Sequence, residues 1–179
     1  MAKIIAACFL AFALPTAQAG EAPSFTLKKF NDAETVKLEA FAGQIVVLDF
    51  FAYWCGPCQK SAPEIEEKIQ KHYESKGGNP NGMKVTVVSV NVEEEAAAQT
   101  TAFIKRHRPS LVLNDQQGKT LEAYGGQGLP FVVVLDGTKS AAGAPKFEIV
   151  YRKAGFEGAA ALRKVIDAIG KKSASSPQP

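Results

Sequence analysis

Apolar positions in this chain fall into two patterns, unbroken runs and spaced stripes, and together they predict its elements. Residues 45–51, Ile-Val-Val-Leu-Asp-Phe-Phe, form an apolar run interrupted only by Asp49, and residues 85–92 form a second, β-branched run. Runs of this length without polar alternation read as strands buried on both faces. Between them, from Cys55 to Tyr73, Ile65 and Ile69 recur at i, i+4 with charged residues in between, the spacing of a helix lying on a sheet. Pro63 falls inside that helix and is expected to bend it, because proline removes one backbone donor. Strand, helix and strand in this order make the two strands parallel, joined by a crossover.

The flanks complete the pattern. Residues 24–27 and 35–38 alternate and are joined through Asn31-Asp32, which predicts a hairpin. Residues 77–82, Gly-Gly-Asn-Pro-Asn-Gly, are a loop. Glu93 to Glu95 are expected to open a helix that runs to about Arg106, acidic at the end where the dipole favours it, with an acidic docking patch as the functional alternative. Pro109 closes that helix. A short strand at 111–113 and a connecting segment to Tyr124 follow, then a third strand at 131–135 behind Leu129-Pro130, and a fourth at about 146–152. Leu162, Val165, Ile166 and Ile169 form one apolar stripe at i, i+3, i+4, i+7, which predicts a closing helix. The expected fold class is α/β: a mixed central sheet with helices on both faces, an N-terminal β-hairpin and an inserted helix–strand segment.

Composition changes this picture at the ends of the chain. Met1-Ala2-Lys3, the apolar residues 4–14 and Ala17-Gln18-Ala19 have the order of a secretory signal peptide, residues 1–19, cut after Ala19. The apolar part is too short for an ordinary membrane-spanning helix, although an uncleaved anchor is the alternative. Cys8 lies too early in it, with apolar residues continuing behind, to serve as a lipoprotein cysteine. One domain is expected over residues 21–170, and residues 171–179, polar and without periodicity, are expected to be a disordered tail. The net charge of +3 becomes +2 without Lys3, from 20 basic and 18 acidic residues. There is no basic block with interleaved aromatics, so nucleic acid is not an expected partner.

Loss of the leader leaves two cysteines, both in Trp54-Cys55-Gly56-Pro57-Cys58 directly behind the first buried strand. A Cys-x-x-Cys that opens a helix puts its first thiol over unpaired N–H groups and the positive end of the dipole, which favours the nucleophilic thiolate. A structural zinc site needs four ligands, and His72 and His107 stand in no ligand spacing. Haem attachment needs a histidine where Gln59 stands. Redox chemistry is the expected use, with no cofactor and no metal. Asp49 is the other informative residue, a carboxylate inside an apolar strand six residues before Cys55, where burial should raise its pKa.

The run from Val47 to Cys58, with Pro63 behind it and Leu129-Pro130 before a strand, resembles thioredoxin. The leader, the hairpin and the extra segment 96–124 resemble the exported TlpA/ResA-like branch of that superfamily, and the likeness covers residues 21–170. The resemblance implies a two-cysteine thiol–disulfide oxidoreductase in which Cys55 is an exposed nucleophile and Cys58 resolves the mixed disulfide. It implies that Asp49 exchanges a proton with Cys58, and that Pro130 is a cis-proline presenting the backbone of Leu129 to a client. Trp54, with Gly56 and Pro57, would shape the docking surface, although Trp54 packing into the core is the plainer role. Thioredoxin has a lysine near that aspartate, and here Ser89 stands in its place.

Gly-Pro between the cysteines resembles the reducing members, near about −270 mV for thioredoxin against about −120 mV for the strong periplasmic oxidant, a gap of about 7 kcal/mol. The expectation is therefore a periplasmic monomer that reduces disulfides of exported proteins and draws electrons from a membrane thiol-reductase. A disulfide oxidase or isomerase is the alternative, and a copper-binding redox protein a further one.

Overall fold

Eight strands hydrogen-bond into one sheet in the order β1-β8-β7-β4-β5-β6-β2-β3, in a computed structural model that describes residues 20–139 and 146–170. The expected leader and tail lie outside the described residues. The strands are β1 (Gly20–Glu21), β2 (Thr26–Lys29), β3 (Thr35–Lys37), β4 (Ile45–Phe51), β5 (Val85–Asn91), β6 (Val112–Asn114), β7 (Phe131–Asp136) and β8 (Glu148–Ala154). At the centre, β4 is buried along its whole length, with β5 parallel on one side and β7 antiparallel on the other. Its side chains alternate between two apolar layers. Val46, Leu48 and Phe50 face one, while Ile45, Val47 and Phe51 face the other.

The parallel steps from β4 to β5 and from β5 to β6 advance in the same direction across the sheet. Right-handed crossovers then place their helices on one face. The first crossover is α1 (Gly56–Ile65), a π turn over Glu66–Gln70, and α2 (Lys71–Ser75); the second is α3 (Ala97–His107). Helix α5 (Ala159–Ala168) joins this layer, and Ile65, Ile69, Tyr73, Leu162 and Ile166 fill it against Ile45 and Val47. Each such side chain contributes about 1.5–3 kcal/mol by leaving water. The opposite face is covered by a 3-10 turn (Leu38–Phe41), by α4 (Lys119–Ala123) and by Phe25, Leu27 and Phe147.

Several boundaries differ from expectation. Pro63 is inside α1, and the helix departs from regularity just beyond it, at the π turn rather than in a simple bend. The hairpin β2–β3 does more than precede the sheet, since β2 pairs with β6 and extends it. Residues 119–123, expected to be only a connection, form α4, and β8 starts two residues later than expected. The acidic run does not lie in the first turn of α3. That helix begins at Ala97, and Glu93 to Glu95 lead up to it because Glu93 is engaged elsewhere.

Candidate active site

Beyond Phe51 the chain turns through Ala52, Tyr53 and Trp54 into α1, so the cysteine pair lies where the carboxyl ends of two parallel strands meet a helix N-terminus. Cys55 is the N-cap of α1, with extended φ −72° and ψ 103°, and its Sγ accepts the Cys58 N–H at 3.1 Å. Pro57 sits in the first turn, where its missing N–H forfeits no helical bond. Cys55 and Cys58 are joined as a disulfide with Cα atoms 5.2 Å apart. When the bond is reduced, the open N–H groups and the dipole of α1 favour an anionic Cys55 sulfur.

In this oxidised form Cys55 is 4% exposed and Cys58 1%, so the first cysteine is not the open thiol expected. Its sulfur is turned into the disulfide, and Phe51, Ala62 and Phe103 pack about the pair with Tyr53 and Leu129 against them. Accessible surface lies instead at Gly56 and Pro57, both exposed, and a Cβ added to Gly56 would meet nothing within 4 Å. Trp54 is 60% exposed and takes no part in the core.

Antiparallel pairing of Phe131 with Phe50 brings Pro130, one residue earlier, level with Phe51 at the same end of β4. The Leu129–Pro130 peptide bond is cis, Pro130 is buried, and Leu129 packs on the cysteine cluster. Register also locates Asp49. It stands between Val47 and Phe51 in the alternation, so it points towards the face that carries α1, with Ser89 beside it on β5 and Val132 beside it on β7. Its carboxyl is 2% exposed and Oδ1 has no hydrogen-bond partner. Burial pushes the Asp49 pKa up from 3.8 to about 7. Such a group can take or give a proton near neutral pH.

Three residues with no motif of their own complete the site. The Trp54 indole N–H donates to Glu93 at 2.8 Å. The Glu95 backbone N–H and that indole hold the Glu93 carboxyl below the usual range. Gln59 donates to the Tyr53 carbonyl at 2.8 Å, and its Oε1 lies 2.6 Å from His107 Nε2 at the end of α3. Burial, with Arg106 behind it, pulls the His107 pKa below its ordinary value. Glu93 was legible in principle, because Phe51 pairs with Asn91 and the chains leave the sheet side by side. Gln59 and His107 carried no such signal. His72 lies on α2 against Tyr73. Among the described residues, no group of three or more His, Cys, Asp and Glu side chains could hold a metal ion.

Two curated proteins of Bacillus subtilis are similar to this chain. The thioredoxin-like protein YneN is 31% identical over 117 residues, 65% of this chain and 64% of its own length. The thiol-disulfide oxidoreductase ResA is 30% identical over 120 residues, 66% of this chain and 62% of its own. The chain thus spans less than two thirds of the length of either. A solved Chlorobium tepidum structure, assigned as the thiol:disulfide interchange protein DsbE, is 30% identical with a TM-score of 0.64, over 82% of this chain and 92% of that one. The Redoxin family profile matches residues 18–154, and on that match the chain belongs to the Redoxin family.

Proposed function

We propose that this chain is an exported thiol–disulfide oxidoreductase that reduces disulfides of other exported proteins. The observation that carries the reading is the Cys55–Cys58 disulfide at the N-terminus of α1, with a buried, protonatable Asp49 in the preceding strand on the face that carries α1. The reduced form starts the cycle. The Cys55 thiolate attacks one sulfur of a client disulfide, giving a mixed disulfide and releasing the other client sulfur as a thiolate. Asp49 then accepts the Cys58 proton. The Cys58 sulfur attacks Cys55 Sγ, the mixed disulfide breaks, and the client leaves fully reduced. Two electrons have passed to the client, and the protein is left with the disulfide present in this structure. A membrane thiol-reductase resets the dithiol.

Client docking falls to Trp54, Gly56, Pro57, Leu129 and Pro130, of which Trp54, Gly56 and Pro57 are exposed and Leu129 packs on the cysteine cluster. Gly56-Pro57, with no histidine between the cysteines, supports reduction over oxidation. Residues 1–19 and the similarity to ResA support export to the periplasm.

The test is Cys58→Ser expressed in the native envelope, with insulin-disulfide reduction measured in parallel on wild type. Wild type should turn over insulin, Cys55→Ser should not, and Cys58→Ser should accumulate a mixed disulfide to Cys55 that reductant releases. A Cys58→Ser protein that traps no client and a wild type that leaves insulin oxidised would sink the proposal.

A further inference from the structure

The crossover between β5 and β6 touches the loop ahead of Cys55 at both of its ends. At its start, Glu93 accepts the Trp54 indole N–H at 2.8 Å. Glu93 is itself held, since Asn91 Nδ2 donates to the Glu93 carbonyl at 2.7 Å and to Asn114 on β6 at 3.0 Å. At its far end, His107 meets Gln59 at 2.6 Å, and Gln59 reaches back to the Tyr53 carbonyl at 2.8 Å. Between the two ends Phe103 belongs to the buried cluster that holds both cysteines, stacked on Phe51 at 4.6 Å and against His107 at 4.4 Å.

The donor sense at His107 follows from chemistry. The Tyr53 carbonyl only accepts, so the amide nitrogen of Gln59 must face it, and the amide oxygen must face His107. His107 Nε2 therefore carries the proton and donates. One imidazole N–H fixes one side-chain amide, and that amide fixes the main chain two residues before Cys55.

We propose that residues 93–107 act as a bracket on the Tyr53-Trp54-Cys55 segment, and that Gln59 and His107 are positioning residues for the thiol–disulfide reaction. The inference rests on the oxidoreductase reading above. The bracket holds the N-cap sulfur of Cys55 over the N–H groups of α1 and holds the Trp54 ring at a fixed angle beside it. Neither the Gln59 nor the His107 side chain is hydrogen-bonded to the reacting sulfurs; they act through the backbone that carries them. The loop has no other side-chain bond to the α3 segment among the described residues.

The experiment compares full-length wild type with Gln59→Met, His107→Leu and His107→Gln. Gln59→Met keeps the volume and loses both bonds, and His107→Gln keeps an N–H donor without the ring. Three readouts apply: insulin reduction driven by dithiothreitol, Trp54 emission, and the imidazole nitrogen spectrum of His107. Wild type should show a single Nε2–H tautomer. Gln59→Met and His107→Leu should each lose about tenfold in kcat/KM, the size of one hydrogen bond, and each should shift Trp54 emission. His107→Gln should stay within about twofold of wild type by the same measure. Wild-type kcat/KM and emission in Gln59→Met would overturn the bracket, as would His107→Gln as impaired as His107→Leu. A wild type with no turnover would instead fail the oxidoreductase reading, while emission and tautomer would still judge the bracket.

Discussion

Asp49 at the cysteine end of β4 and Asp115 at the corner between β6 and α4 are each 2% exposed, yet their surroundings differ completely. Both oxygens of Asp115 are used, accepting the Thr120 N–H at 2.9 Å and the Leu121 N–H at 2.8 Å, so the carboxylate caps the start of α4. Glu66 and Asp136, the other buried carboxylates among the described residues, likewise accept from a backbone N–H and a hydroxyl, of Ser110 and of Thr138. Asp49 alone of the four leaves an oxygen without a partner. The contrast separates two uses of a buried acid. A paired one stabilises a corner of the fold, whereas an unpaired one is costly to ionise, the property on which the proposed proton transfer at Asp49 relies.

That difference should appear first, and largest, in stability against pH. An acid whose folded pKa of about 7 lies above its ordinary 3.8 keeps its proton in the folded state while the unfolded chain has lost it. The folded state is then favoured most at low pH, and the advantage is lost as pH rises through 7, by about 4 kcal/mol in all. Urea unfolding of oxidised wild type from pH 4 to pH 8 should show this decline, levelling off above pH 7, and Asp49→Asn should remove it. Parallel curves for the two proteins would break the comparison at its root.

Kinetics come next in size. Asp49→Asn should slow decay of the mixed disulfide by about 100-fold while leaving the first attack nearly unchanged. Rapid-mixing measurement of each step decides this, and equal slowing of both would remove the proton-transfer role. Asp115→Ala should behave in the opposite way. Two backbone N–H groups lose their acceptor, so stability should drop by about 2 kcal/mol at constant reduction rate. A rate loss comparable with that of Asp49→Asn would mean the two aspartates are not distinct in kind.

The smallest effect belongs to Gly56→Ala. Its methyl group would enter open space at the first helical position, so the free energy of unfolding should hold to within about 0.5 kcal/mol. The same methyl group would stand beside Cys55 on the exposed edge, so KM for a protein client should rise severalfold with kcat retained. An unchanged KM would move the docking surface away from this edge.

Elements were legible wherever burial imposes its own period. The apolar runs of β4 and β5, the Ile65–Ile69 spacing and the α5 stripe leave little choice, because apolar residues so dense or so spaced bury their surface only as inner strands or as helices lying on a sheet. The two-residue β1 and the five-residue α4 were not legible. Elements so short have no period, and they form because β8 and the Asp115 cap offer partners. The start of α3 was misread for a related reason. Acidic residues suit a helix N-terminus in isolation, but here the Asn91 side chain takes the Glu93 backbone N–H and carbonyl and the Trp54 indole takes its carboxylate, all ahead of the helix.

Cys55, Cys58, Gly56 and Pro57 lie within one turn of chain, so local sequence alone determined both the reactive pair and its seat on a helix start. Asp49 was also marked there, since a lone carboxylate in an apolar strand is costly wherever that strand is buried. Only the tertiary structure decided what surrounds them. Glu93 comes to Trp54 from 39 residues away and His107 to Gln59 from 48, through hydrogen bonds that depend on strand register and on the side of the sheet each crossover takes. Exposure, too, was decided in three dimensions: the sulfur of Cys55 is covered and the ring of Trp54 is open because packing by Phe51 and Phe103, not residue type, determines what water can reach.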